Sequence, residues 1–262
     1  LPGDYTPAVM TCLLTKGRID SKDLMATIMD LVRKKKITIN RIQREKGLVF
    51  KKMEERYEIS KIDGAVLDDL YPHESFLIHW FIDKLGDGRS LILDDLKSIL
   101  KKRSKALEFH EDYEEFRSLV REQGEALGFF TKNDLSGSSK YVLIALALLI
   151  GGPILTIGLK AASGVFMFLL GFVFLFTMWV VYTIRKRTRY GVEQVAKWKA
   201  FKKFLLHFSN MDKAEIPSIV IWEHYLVYAI SLGVAKEVIE QLPQVFSEAE
   251  LMDPSLTYMR AY

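Results

Sequence analysis

Two uncharged apolar stretches constrain this chain more than any other feature. Residues 141–159 give 19 positions without a charge and residues 161–184 give 24 more, with only Lys160 between them. A helix needs about 20 apolar residues to cross a hydrocarbon core about 30 Å thick, and each stretch has that length. Soluble core helices rarely run so far without a charge, and the internal position excludes a cleaved signal peptide. The sequence therefore predicts a two-helix transmembrane hairpin over residues 140–184. The connection around residues 158–164 is short, so the helices are expected to be antiparallel neighbours with both outer ends on one side. Arg185, Lys186, Arg187 and Arg189 follow the second stretch, with Lys197, Lys199, Lys202 and Lys203 beyond them. The positive-inside rule puts that side in the cytoplasm. Ala147 and Gly151 have small-xxx-small spacing, which predicts packing between the two helices, with a homo-oligomer as a second use of the same stripe. No Asp, Glu, Arg or His lies inside either stretch, which argues against proton or ion transport.

The rest of the chain is polar enough to be an ordinary folded body. Of the 262 residues 49% are hydrophobic and 27% charged, which excludes a disordered polyelectrolyte, a fibrous repeat and a many-spanning transporter. One cysteine excludes a disulfide scaffold and a multi-thiolate metal site. The net charge of +4 hides alternation: residues 16–61 carry 14 basic and 7 acidic side chains, 62–131 carry 9 and 15, 185–213 carry 9 and 2, and 214–262 carry 2 and 7. Two basic segments each precede an acidic one, so the basic ones are expected to face anionic lipid.

Four regions follow from periodicity. Residues 1–61 read as a winged-helix-like cytoplasmic module. It has a turn-rich linker at residues 2–7, a short helix at 8–14, and a longer helix capped by Asp20 or Ser21. A strand at 37–39, a turn at 41–47 and a returning strand at 48–50 complete it. Residues 62–139 read as a helical module without a strong strand signal, with Phe76, Leu77, Trp80 and Phe81 on one face of a helix at 73–84. The hairpin occupies 140–184. Residues 185–262 read as a helical cytoplasmic tail, opening with a basic amphipathic helix at 192–208 in which Val195, Trp198, Phe201, Leu205 and Phe208 recur at helical spacing. Such a helix either lies on the anionic inner leaflet, through Lys197, Trp198, Lys199, Phe201, Lys202 and Lys203, or packs on the other modules. The fold class expected is thus a mainly α membrane protein with one small α+β module.

Signals for chemistry are sparse. His73 and His79 do not have the i, i+4 spacing that puts two imidazoles on one helix face, and Cys12 has no evident base. There is no G-x-S-x-G motif, no P-loop and no dinucleotide fingerprint. No catalytic residue, metal or cofactor is therefore expected, and the chain is expected not to be an enzyme. Arg41, Arg44, Lys46, Lys51 and Lys52 make the wing basic, which allows a membrane-tethered DNA-binding regulator as the alternative. Against nucleic acid stand the missing third helix, Asp23 and Asp30 on the candidate recognition helix, and the lack of base-reading side chains at its start.

Several segments together resemble a known family. They are Pro2-Gly3-Asp4-Tyr5-Thr6-Pro7 with Ala26 to Arg33, Pro72-His73-Glu74 with Leu77, and Arg187-Thr188 and Gly191 with Trp198-Lys199 and Phe201. The fourth is Trp222-Glu223 with Tyr225-Leu226, Tyr228-Ala229 and Leu232-Gly233-Val234-Ala235. In these the chain is similar to the carboxy-terminal region of the YciQ-like family of predicted bacterial membrane proteins, a domain of unknown function. The resemblance implies an upstream anchor, an extracytoplasmic β-rich domain and one further span. It carries over no catalytic residue. Lys34-Lys35-Lys36 departs from the family, which tends to have a glycine before the wing. The reading is a non-enzymatic interaction or signal-relay region at the bacterial cytoplasmic membrane, with lipid and an unknown protein as partners.

Overall fold

The computed structural model of the chain describes residues 1–46, 52–131, 139–158, 163–183, 186–212 and 215–251. Helix α1 (Pro7–Thr15) is its centre. Proline at the first helical position presets the backbone, and the following residues are apolar on every side, the signature of an enclosed helix. All residues from Tyr5 to Leu13 are buried. The segment read as a linker thus ends inside the core at Tyr5 and Thr6. Helix α2 (Ser21–Arg33) starts with an Asp20–Asp23 capping box, in which the Asp20 N–H donates to the Asp23 carboxylate at 2.8 Å. It ends where Lys35 takes a left-handed φ of 56°, a conformation that glycine adopts without strain.

Strand β1 (Ile37–Lys46) pairs antiparallel with β2 (Lys52–Lys61), with Ile37 opposite Lys61 and Lys46 opposite Lys52. Helix α3 (Pro72–Ile78) runs into a π-helical turn, His79–Lys84, which turns Trp80 and Phe81 into the core. Strand β3 (Ser90–Ile92) then joins the far side of β2, giving the order β1-β2-β3 with Leu91 opposite Ile59. Among the described residues the ribbon enters the core at its base, where Ile37, Ile59 and Leu91 are buried and Ile39 packs against them. Farther out it is held by polar pairs: Arg41 with Glu55, and Arg56 with Asp95 of α4 (Leu93–Ile99) at 2.8 Å. Helix α5 (Arg103–Ala126) buries Phe116 and Val120.

Helices α6 (Ser139–Gly158) and α7 (Ser163–Thr183) pack on each other. They come close at Gly171, where a Cβ would meet the Leu149 backbone nitrogen at 2.9 Å and the Ala145 carbonyl at 3.1 Å. Helix α8 (Arg189–His207), a 3-10 turn at Phe208–Asn210, α9 (Ile219–Leu232), α10 (Ala235–Val245) and α11 (Glu248–Leu251) complete the chain. One hydrophobic core runs from Tyr5 through Leu31, Trp80, Phe116 and Trp198 to Phe246.

The architecture is mainly helical with a small three-stranded sheet, and it corrects the expected fold class in two respects. First, among the described residues no helix is long and apolar enough to cross a membrane, so the transmembrane hairpin is not met. The apolar runs do become two helices, α6 and α7. α6 includes Ser139 and Lys140, and positions 159, 161, 162 and 184 of the runs lie outside the described residues. Second, residues 1–61 do not make a winged helix. Residues 41–46, read as a turn, continue β1, the returning strand is 52–61, and the third strand comes from 90–92. Residues 48–50 lie outside the described residues. The middle region therefore does contribute a strand. Ala147 and Gly151 are not the small residues at the helix contact: Ala147 is exposed, and a Cβ on Gly151 would meet nothing within 4 Å. Ala145 and Gly171 take that place.

Candidate functional site

The two ends of the α6–α7 hairpin return to the body at one joint. Phe130 and Arg187 form an antiparallel bridge. The Thr131 N–H donates to the Lys186 carbonyl at 2.9 Å, and the Thr188 N–H to the Phe129 carbonyl at 3.0 Å. Thr188 also caps α8, its hydroxyl accepting from the Gly191 N–H at 3.0 Å, which satisfies one of the open donors of that helix end. Gly191 faces Phe129 so closely that a Cβ would sit 2.4 Å from its carbonyl oxygen. From this joint the Arg187 guanidinium reaches α1. Its Nε donates to the Leu13 carbonyl at 2.9 Å and its Nη2 to the Leu14 carbonyl at 2.7 Å. A cation at the carbonyl end of a helix is favoured by both hydrogen bonding and the helix dipole.

The other end of α1 is gripped as well. The Trp198 indole N–H donates to the Tyr5 hydroxyl. The Tyr228 hydroxyl donates to the Tyr5 carbonyl at 2.8 Å, and Thr6 Oγ1 bonds His73 Nε2 at 2.9 Å. Burial pushes the Tyr5 phenol up to about 12, against a smaller opposing effect of the Trp198 hydrogen bond. Residues from α3, α8 and α9 thus close on the two residues preceding α1.

Beside this grip lies a charge cluster. Lys34, at the end of α2, bridges Asp30 at 3.2 Å and Glu74 at 2.6 Å, and Arg33 bonds Asp30 at 2.8 Å. Burial pushes the Glu74 carboxyl up, with the Lys34 ammonium pulling against it. For Lys34 burial lowers the affinity for its proton, but the Asp30 and Glu74 carboxylates outweigh this and the net shift is upward. His73 is wholly buried, and burial lowers its imidazole to about 3. A cavity of about 40 Å³ opens among Thr6, Asp30, Arg33, Tyr71, His224 and Tyr228, room for a few waters. Deeper in the core Asp23 is buried against the hydroxyls of Thr11 and Ser231, and burial raises its carboxyl. Because each carboxylate of the Lys34 cluster is held by a neighbour, the cluster ties α2 to α3. Among the described residues no group of three or more His, Cys, Asp or Glu could hold a metal ion.

The residues expected at a membrane surface divide sharply. Trp198 and Phe201 are buried, so the apolar face of α8 packs on the body. Arg187 is spent on α1. Lys202 donates to the Leu232 carbonyl at 2.9 Å. Lys197 pairs with Glu193 at 2.9 Å. Lys186, Arg189, Lys199 and Lys203 are exposed, and Arg185 lies outside the described residues. Of the wing cations, Arg41 is exposed and paired with Glu55. Arg44, Lys46 and Lys52 lie in the described strands without described side chains, and Lys51 lies outside. Sequence reasoning missed Tyr5 and the role of Arg187. The only signal for either was an aromatic between two prolines and one arginine among several.

No curated protein and no solved structure matches the chain. A family model does, over residues 1–242: the predicted membrane protein (DUF2207) C-terminal domain. With that match covering nearly all of its length, the chain belongs to this family of predicted membrane proteins of unknown function.

Proposed function

We propose that this chain is a non-enzymatic relay region at the bacterial cytoplasmic membrane, in which the apolar hairpin meets lipid and α1 passes its displacement to the helical body. The body faces the cytoplasm and offers its surface to a protein partner. One observation carries the reading: the residue leaving the hairpin, Arg187, is bonded to the last carbonyls of α1, whose other end is held by Tyr5 and Thr6. A push on the root is therefore delivered to a buried helix that touches α2, α5, α8 and α9. The family's description supports a membrane setting. Exposed Leu143, Ile150, Phe166 and Phe172 supply an apolar surface for lipid.

Hydrogen exchange tests this directly. Amides of α1 and of the start of α2 should change protection when the purified chain passes from detergent into vesicles. Arg187→Ala should abolish that change while leaving the helical circular dichroism intact. Unaltered protection in vesicles sinks the relay; recovery of the chain in the soluble fraction of cells, without detergent, sinks the membrane setting.

A further inference from the structure

The root of the hairpin carries cations that the fold does not use. In the body several basic side chains are matched to carboxylates, Lys34 to Glu74, Lys36 to Asp69, Lys61 to Asp83 and Lys84 to Asp112, while others, such as Lys101 and Lys102, are exposed like those at the root. At the root, Lys16, Arg18, Lys186 and Arg189 are exposed, and none lies within ion-pair distance of a described carboxylate. They come from far apart in sequence. Lys16 and Arg18 follow α1, whose last carbonyls hold Arg187, and Lys186 and Arg189 flank that same arginine. The Arg187 hydrogen bonds thus join the two chain segments that carry these pairs. Arg189 is also the first residue of α8, where a cation is disfavoured by the helix dipole. Its carboxylate neighbour one turn along, Glu193, is bonded to Lys197 and is drawn down only secondarily by Arg189.

We infer that Lys16, Arg18, Lys186 and Arg189 form a collar that binds the phosphate groups of anionic phospholipids around the root of the hairpin. The occupant follows from charge complementarity and position. Four unmatched cations border the point where an apolar, lipid-compatible element leaves the body, and basic residues beside a membrane gain about 1 kcal/mol each from an anionic surface. The inference rests on the hairpin meeting lipid, as proposed above. It adds which lipids are preferred and that residues 16 and 18, remote from the hairpin in sequence, take part.

Vesicle flotation after detergent removal distinguishes the two claims. Purified full-length chain is mixed with vesicles of phosphatidylcholine alone or with about one third phosphatidylglycerol. Binding to both is expected, with partition into the anionic vesicles higher by between about 10-fold and 1,000-fold at low salt. The preference should vanish at high salt. The fourfold charge reversal K16E/R18E/K186E/R189E should remove the preference yet still float with phosphatidylcholine. The reversal K199E/K203E, on the exposed face of α8, should keep it. Equal partition of the unaltered chain, or a preference that survives the fourfold reversal, overturns the collar and leaves the hairpin reading standing. Failure to float with either vesicle overturns both. Release from anionic vesicles by an equal phosphate concentration of duplex DNA also overturns the collar as a lipid site.

Discussion

His73 shows how one residue couples burial to pH. Its ring is wholly enclosed, and burial lowers its pKa from 6.5 to about 3. Below pH 6.5 the unfolded chain takes a proton there that the folded chain refuses. Stability is therefore lost as pH falls from 6.5 toward 3, by at most about 1.4 kcal/mol per pH unit. His73→Gln should keep a bond to Thr6 and flatten the urea-unfolding profile between pH 6.5 and 4.5 relative to the unaltered chain. Parallel profiles would show that the ring is not held neutral. His224, lowered to about 4 chiefly by burial, contributes with the same sign and remains in both proteins. Lys34 gives the complementary case. Lys34→Met leaves the buried Asp30 and Glu74 without their shared cation, and breaking a buried pair costs roughly 3–5 kcal/mol. The lower end applies, because Lys34 is 24% exposed and Arg33 still holds Asp30. The loss should shrink as pH falls, since the Glu74 carboxyl, pushed up by burial and no longer opposed by Lys34, is neutralised sooner than an ordinary carboxylate. Neither His73 nor Tyr5 announced itself in the sequence. His73 reads as a helix-start residue after Pro72. Tyr5 reads as part of a turn-rich linker, because its partners Trp198 and Tyr228 lie about two hundred residues away.

Among elements, the hairpin joint depends on a close approach that a single methyl group tests. A Cβ on Gly191 would lie 2.4 Å from the Phe129 carbonyl oxygen and 3.2 Å from its carbon. Both are backbone atoms that cannot swing aside. Gly191→Ala should therefore cost about 1–3 kcal/mol, lowering Tm by roughly 3–10 °C, and should expose the amides of Thr131 and Thr188 to exchange. Gly151→Ala is the contrast. It sits in α6 with open space around it, so the substitution should leave Tm unchanged or raise it through helix propensity. Elements with one strong local pattern were legible: α1 from its apolar run after Pro7, α2 from its Asp20 cap, α9 from its aromatic stretch. The ribbon was not. Residues 41–46 and 52–58 alternate charges on both faces, so no apolar face marks them as strands. What pairs them is Arg41 with Glu55 and the backbone ladder. Strand β3 is three residues long and gains its identity from β2. The joint itself was invisible, because a two-residue bridge between segments more than fifty positions apart leaves no local pattern.

For the whole molecule, the arrangement predicts that the hairpin and the body are separable in stability though joined in position. Among the described residues α6 and α7 pack extensively only on each other, and the large buried side chains of the core, from Met10 to Trp222, belong to other elements. The hairpin ends stand side by side, with Thr131 bonded to the Lys186 carbonyl at 2.9 Å, so a short Gly/Ser linker can replace residues 132–185 without stretching the chain. Such a protein keeps Phe129, Arg187, Thr188 and Gly191, hence the bridge, the cap and the grip on α1. It should unfold cooperatively with a Tm within about 5 °C of the full chain, a difference worth roughly 1–2 kcal/mol. It should also no longer need detergent, because the exposed apolar side chains of α6 and α7 are gone. Adding Arg187→Ala to the shortened protein should cost about 1–3 kcal/mol, since two carbonyls of α1 lose a charged donor. That loss would show the arginine stabilising the body by itself, apart from any role of the hairpin. If excision instead melts the body, the apolar helices supply packing that their mutual contact does not reveal, and a relay through Arg187 becomes secondary to a shared core.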